Sequence, residues 1–235
     1  MNTATPPSQT LAPEDYQTRW IQDGFLIIPS ILSHQECAEL KRESLRVLQE
    51  HARAGATVHV GCATVSKAFE DLAAHSEVLR ILEQIMPDGI EFLSDKLVYK
   101  NVSKSFATPW HIDASYWKNT RPKLSVWIPF DNVSEENGTL TVIPGSHLRE
   151  WRHRSTAGIN NEFTEAIEER EISEGQILTC KIERGTAVIF SDRLVHGSTS
   201  ANGEKERYAI ISTYHAPGEE PFDLDFKARK ILIRK

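Results

Sequence analysis

Two histidines and an aspartate have the residue types and spacing to hold a metal: His111-Ile112-Asp113, with His196 much further along the chain. Such a set can grip a divalent ion on one side and leave positions open, the arrangement associated with non-haem Fe(II) oxygenases. If Trp110 to Ala114 is extended, side chains two apart share a face, so His111 and Asp113 can converge on one ion. His196 lies in Ser191-Asp192-Arg193-Leu194-Val195-His196-Gly197-Ser198, after the apolar run Ala187 to Phe190, which reads as a buried strand that delivers it. Arg207 opens the β-branched and aromatic run Tyr208 to Tyr214, read as the following strand. A hairpin between the two would set a guanidinium beside the metal, where it can clamp a dicarboxylate through two parallel hydrogen bonds. Taken singly, an HxD pair also suits a structural histidine and Arg207 a solvated strand end; the combination points to a site.

The positioning elements fall into two halves. Pro13 to Asp23 reads as a short helix, Phe25 to Pro29 as a strand, and Ser33-His34-Gln35-Glu36 as a capping box. That box starts a helix running to about Arg53, with Leu40, Leu45 and Leu48 among its apolar positions. A further helix from Ser76 carries Val78, Leu79, Ile81, Leu82, Ile85 and Met86 up to Pro87. From Glu91 onward the pattern turns to strands: Glu91 to Lys100, Ala107 to Asp113, Leu124 to Asn132, Thr139 to Ile143, Thr186 to Phe190 and Arg207 to His215. Many strands after a helical third indicate a mainly β architecture braced by helices. Asn137-Gly138 reads as a hairpin turn and Pro144-Gly145 as a tight turn. The charged connection 148–181 reads as a lid or insertion over the site.

Composition narrows the classes. The 235 residues, 40% hydrophobic, suffice for one sizeable core, and 13–235 reads as one domain behind a disordered leader, 1–12, that lacks a signal-peptide pattern. A net charge of -6 without a basic stripe argues against a nucleic-acid partner. No apolar stretch approaches the ~20 residues of a membrane span. Cys37, Cys62 and Cys180, odd in number and without CxxC spacing, fit free thiols in a cytoplasmic setting.

Four blocks carry a family resemblance: Trp110 to Asp113; Asn137-Gly138-Thr139-Leu140-Thr141-Val142-Ile143-Pro144-Gly145-Ser146-His147; His196-Gly197-Ser198 with Arg207; and the opening from Tyr16 through Phe25-Leu26-Ile27-Ile28-Pro29 to Leu32-Ser33. In order and spacing they resemble the phytanoyl-CoA dioxygenase family, from about Tyr16 to His215. The resemblance implies a double-stranded β-helix (jelly roll, cupin-like) that uses Fe(II), 2-oxoglutarate and O2. It further implies hydroxylation of a small molecule, such as an amino acid, acyl thioester or natural-product intermediate, with release of succinate and CO2. On it, His111, Asp113 and His196 hold the metal, Arg207 pairs with the distal carboxylate of 2-oxoglutarate, and Trp127 lines the cosubstrate pocket. Ser198, two residues past His196, could add a hydroxyl, and Lys96 could donate to the cosubstrate. His147 belongs to a turn and is no ligand. The acid at Asp113 favours hydroxylation over halogenation, in which a small residue vacates that position, while desaturation, epimerisation and ring formation share the triad. Ile112 replaces a common Gln between the ligands, on the side away from the metal. A non-catalytic metal-binding barrel and a zinc hydrolase are the competing classes; the second lacks HExxH and leaves Arg207 without a task.

Overall fold

The computed structural model describes residues 14–117, 119–159, 163–218 and 231–234, so the expected leader lies outside the described residues. In chain order the elements are α1 (Glu14–Asp23), β1 (Phe25–Ile28), α2 (His34–His51), β2 (Val58–Val60), α3 (Lys67–Ala73), α4 (Ser76–Ile85), β3 (Ile90–Lys100), β4 (Thr108–His111) and β5 (Lys123–Pro129). Then come β6 (Leu140–Val142), β7 (His153–Ile159), β8 (Phe163–Ile167), β9 (Leu178–Thr179), β10 (Ala187–Ser191), β11 (His196–Ser198), β12 (Arg207–His215) and β13 (Ile231–Arg234).

A two-residue period builds the large sheet. On β12, Tyr208, Ile210 and Tyr214 enter the core shared with the helices, while Arg207, Ile211 and Thr213 line the opposite, internal face. The same division splits β5 into Val126 and Ile128 against Ser125 and Trp127, and β10 into Ile189 against Val188 and Phe190. The sheet runs β1-β10-β5-β12-β3-β13, with β2 also on β3, and its pairings are antiparallel. A smaller antiparallel sheet, β4-β11-β6-β9, faces its internal side, and β7 pairs with β8 alone. Apolar helix faces close the outer side: Leu40 and Val47 of α2, Phe69 and Leu72 of α3, Val78, Ile81 and Leu82 of α4. This is the expected jelly roll braced by helices.

Several local expectations hold. Ser33 Oγ accepts from the Glu36 amide at 3.2 Å and Glu36 accepts from the Ser33 amide at 2.7 Å, which completes the capping box of α2. The Ser146 amide donates to Ile143 O across the Pro144-Gly145 turn. His147 is structural: its Nε2 lies 3.2 Å from Ile21 O, and a Cβ at Gly24 would collide with its ring.

Other expectations are corrected. The strand carrying the HxD pair ends at His111; Ile112 is still extended, but Asp113 begins a 3-10 turn, Asp113–Ser115, bonded through the Ala114 amide to Asp192 O. β11 and β12 form no hairpin, because β11 belongs to the small sheet and β12 to the large one. Asn137-Gly138 likewise joins strands of different sheets, with the Asn137 side chain bonded to Ser134 N and Asn132 O. Within 148–181, read as a lid or insertion, the chain pairs β7 with β8 and adds β9 to the small sheet. Leu45 of α2 is exposed.

Candidate active site

Antiparallel pairing of β4 with β11 sets His196 opposite His111, with ring centroids 4.1 Å apart. Each ring is tethered the same way: His111 Nδ1 is 2.9 Å from Pro109 O and His196 Nδ1 is 3.0 Å from Leu194 O. With Nδ1 donating to a carbonyl, Nε2 carries the lone pair, and both Nε2 atoms turn toward Asp113. Asp113 Oδ1 stands 3.4 Å from Nε2 of His111 and 3.7 Å from Nε2 of His196. One donor atom from each residue lies within 4.8 Å of the others, which suits an ion with ligand bonds of about 2 Å. Burial pushes the Asp113 carboxyl up, but His196, His111 and Lys96 together hold it well below the usual carboxylate range. Burial and the adjacent His111 push the His196 imidazole down to about 4, so it is neutral at pH 7, the form that ligates.

The triad opens into a cavity of about 210 Å³ between the two sheets. Arg207 lies at one end, 3% exposed, with its Nε unpaired among the described residues and its guanidinium 5.5 Å from the Trp127 ring. Its partner in register on β3 is Lys100, which is 1% exposed. The Lys100 ammonium donates to Ser198 Oγ at 2.7 Å, Phe106 O at 2.8 Å and Thr199 O at 3.0 Å. Ser198 Oγ also accepts from the Thr108 amide at 3.2 Å, which leaves its own hydrogen free to donate into the cavity. Burial and the neighbouring Arg207 push Lys100 down to about 7, and burial pushes Arg207 down to about 10. Two adjacent buried cations and an unpaired guanidinium N–H make this end a receptor for an anion.

The seven residues given a metal- or cosubstrate-binding role from the sequence line one cavity: His111, Asp113, His196, Arg207, Ser198, Trp127 and Lys96. Lys96 is half-buried and stands apart from the Arg207 end, four residues before Lys100 on β3. Sequence reasoning missed Lys100, whose alternation with Lys96 and Val98 was the available signal. It also missed Phe163 of β8, whose ring lies 4.8 Å from the His111 ring, and the hydroxyls of Ser94, Ser125 and Thr213. Tyr116 ties β8 down by donating to Glu165 O at 2.8 Å.

The family model for Phytanoyl-CoA dioxygenase (PhyH) matches residues 20–209. The L-proline trans-4-hydroxylase of Streptomyces griseoviridis is 24% identical over 236 residues, 88% of this chain and 88% of that one. Among solved structures, the non-heme monooxygenase ThoJ superposes with a TM-score of 0.79 at 20% identity, covering 94% of this chain and 84% of that one. EvdO2 from Micromonospora carbonacea var. aurantiaca, solved in complex with 2-oxoglutarate, gives 0.73 at 21% identity, over 92% and 95% of the two chains. Both structural likenesses show the fold.

Proposed function

The chain belongs to the phytanoyl-CoA dioxygenase family, the non-haem Fe(II)- and 2-oxoglutarate-dependent dioxygenases, and we propose that it hydroxylates a small molecule at a centre held by His111, Asp113 and His196. The observation that carries this reading is the pairing of a convergent His-Asp-His donor set with an anion receptor in the same cavity. Fe(II) and 2-oxoglutarate, when bound, supply with O2 the oxidising step that hydroxylates the substrate and releases succinate and CO2.

The chain's own groups bind and orient. Both Nδ1 tethers fix the tautomer that presents Nε2 to the metal. The unpaired guanidinium of Arg207 and the Ser198 hydroxyl receive the distal carboxylate of 2-oxoglutarate, with the Lys100 ammonium adding positive charge beside them and Trp127 as the wall. Phe163 and the Tyr116 bridge cover the His111 side, which supports a lid role for the β7-β8 segment in excluding water. Among the described residues no helix is long and apolar enough to cross a membrane. The three cysteines are free and buried, which suits a reducing compartment, and we place the protein in the cytoplasm.

Anaerobic titration of the metal-free protein with Fe(II) and 2-oxoglutarate tests the reading. A weak visible charge-transfer band is expected in wild type and a much weaker one in Arg207→Ala. Stoichiometric metal binding without any band would point instead to a barrel that holds metal without turnover.

A further inference from the structure

Pairing in the large sheet assembles a row of hydroxyls that the cosubstrate cannot use. Thr213 of β12 faces Ser94 of β3 on one side and Ser125 of β5 on the other, so three hydroxyls stand side by side on the cavity wall. Ser94 and Ser125 are buried, and none of the three side chains makes a hydrogen bond among the described residues. One row along, Ile211 pairs with Lys96, whose ammonium reaches the cavity without a hydrogen bond or ion pair among the described residues. Thr213 and Lys96 are half-buried, and all four groups face the cavity, where polar groups among apolar walls fix a ligand.

For the hydroxyl row that ligand is not 2-oxoglutarate anchored at Arg207. Thr213 stands six positions along β12 from Arg207, roughly 20 Å of strand, more than a five-carbon dicarboxylate spans. The row does lie level with the metal donors, because Phe190 pairs with Ser125 and its ring sits 4.6 Å from the ring of His196. Resting on the dioxygenase reading above, we propose that Lys96 serves the prime substrate and not the cosubstrate expected from the sequence: the substrate is a small carboxylic acid whose carboxylate is received by Lys96 and the hydroxyls of Ser94, Ser125 and Thr213. The rest of the substrate is compact and apolar, since it shares about 210 Å³ with the cosubstrate and meets Val58, Val60, Trp117 and Phe163. The carboxylate, fixed beside the triad, sets which neighbouring carbon faces the metal.

Anaerobic calorimetry on protein saturated with Fe(II) and 2-oxoglutarate tests this with two probes, isobutyrate and cyclopentanecarboxylate, and their primary amides. We expect the acids to bind at least tenfold more tightly than the amides and to perturb the visible band. Lys96→Met should remove that preference while leaving 2-oxoglutarate affinity intact, and Lys96→Arg should keep it within a few-fold, which separates charge from fold. Ser94→Ala combined with Thr213→Val should weaken the acids several-fold. Equal binding of acids and amides, no acid binding up to millimolar concentration, or loss of 2-oxoglutarate affinity in Lys96→Met would overturn the assignment. Failure of 2-oxoglutarate itself to bind, read in the saturating titration, would instead remove the dioxygenase reading and this inference with it.

Discussion

Toward the helices, β3, β5, β10 and β12 present Phe92, Leu97, Val126, Ile128, Ile189, Ile210 and Tyr214, and the Tyr214 hydroxyl donates to Ala73 O at 2.9 Å. Toward the cavity the same four strands present Lys96, Lys100, Ser125, Trp127, Phe190, Arg207 and Thr213. Backbone pairing is common to both faces, so the difference lies in what the side chains leave unsatisfied. The helix face closes on itself by apolar contact, and its value is stability. The cavity face keeps Arg207 and several hydroxyls without protein partners and gives Lys100 only neutral acceptors, which costs stability and is repaid by ligands.

The sharpest way to break this contrast is to alter the donors. Asp113→Ala and His111→Ala should abolish succinate release while thermal unfolding of the metal-free protein shifts little; retained turnover in either would remove the triad. Next, Arg207→Met should raise the 2-oxoglutarate requirement by about 10²- to 10³-fold, since losing one partner of a buried hydrogen-bonded charge pair costs about 2–5 kcal/mol. The same variant should stabilise the ligand-free protein by about 1–3 kcal/mol, because a desolvated cation is replaced by an apolar chain of similar length. A fall in its melting temperature would mean that Arg207 is structural. On the helix face, Phe69→Ala should destabilise by about 3–5 kcal/mol, measured by denaturant unfolding, and leave 2-oxoglutarate affinity unchanged; Phe69 is 1% exposed and packs on Phe130. The smallest effect concerns pH. Lys100, pushed down to about 7 in the ligand-free cavity, is charged below that pH and neutral above it. Affinity for 2-oxoglutarate should therefore be full below pH 7 and fall by about fivefold between pH 7 and 8, whereas Lys100→Met should bind more weakly with a flat profile. Calorimetry across pH distinguishes the two.

The part of this site legible in the sequence was the part specified by residue chemistry. His111, Asp113, His196 and Arg207 stand out because few other arrangements give those types a shared task. Register and sheet membership were not legible. His196-Gly197-Ser198 is too short and polar to reveal that it pairs with β4 and β6 instead of β12, and Asn137-Gly138 carries the turn chemistry of a hairpin while linking two sheets. Lys100 was hidden for a similar reason. A lysine at a strand end ordinarily reads as exposed, and only its pairing with Arg207 and its three acceptors show it to be buried. The β7-β8 pairing was masked by its charges, Arg154 and Glu165 among them, which read only as a charged connection.

The two Nδ1 tethers run to carbonyls two residues upstream of each histidine, Pro109 for His111 and Leu194 for His196. Each ligand thus carries its aim within its own tripeptide, and the sheets need only bring the two tripeptides face to face. Binding geometry is in that sense modular: the wall of Ser94, Lys96, Phe163 and Thr213 can be rewritten for a new substrate without re-aiming the imidazoles. A library confined to those four positions would be a practical starting point for redirecting the enzyme.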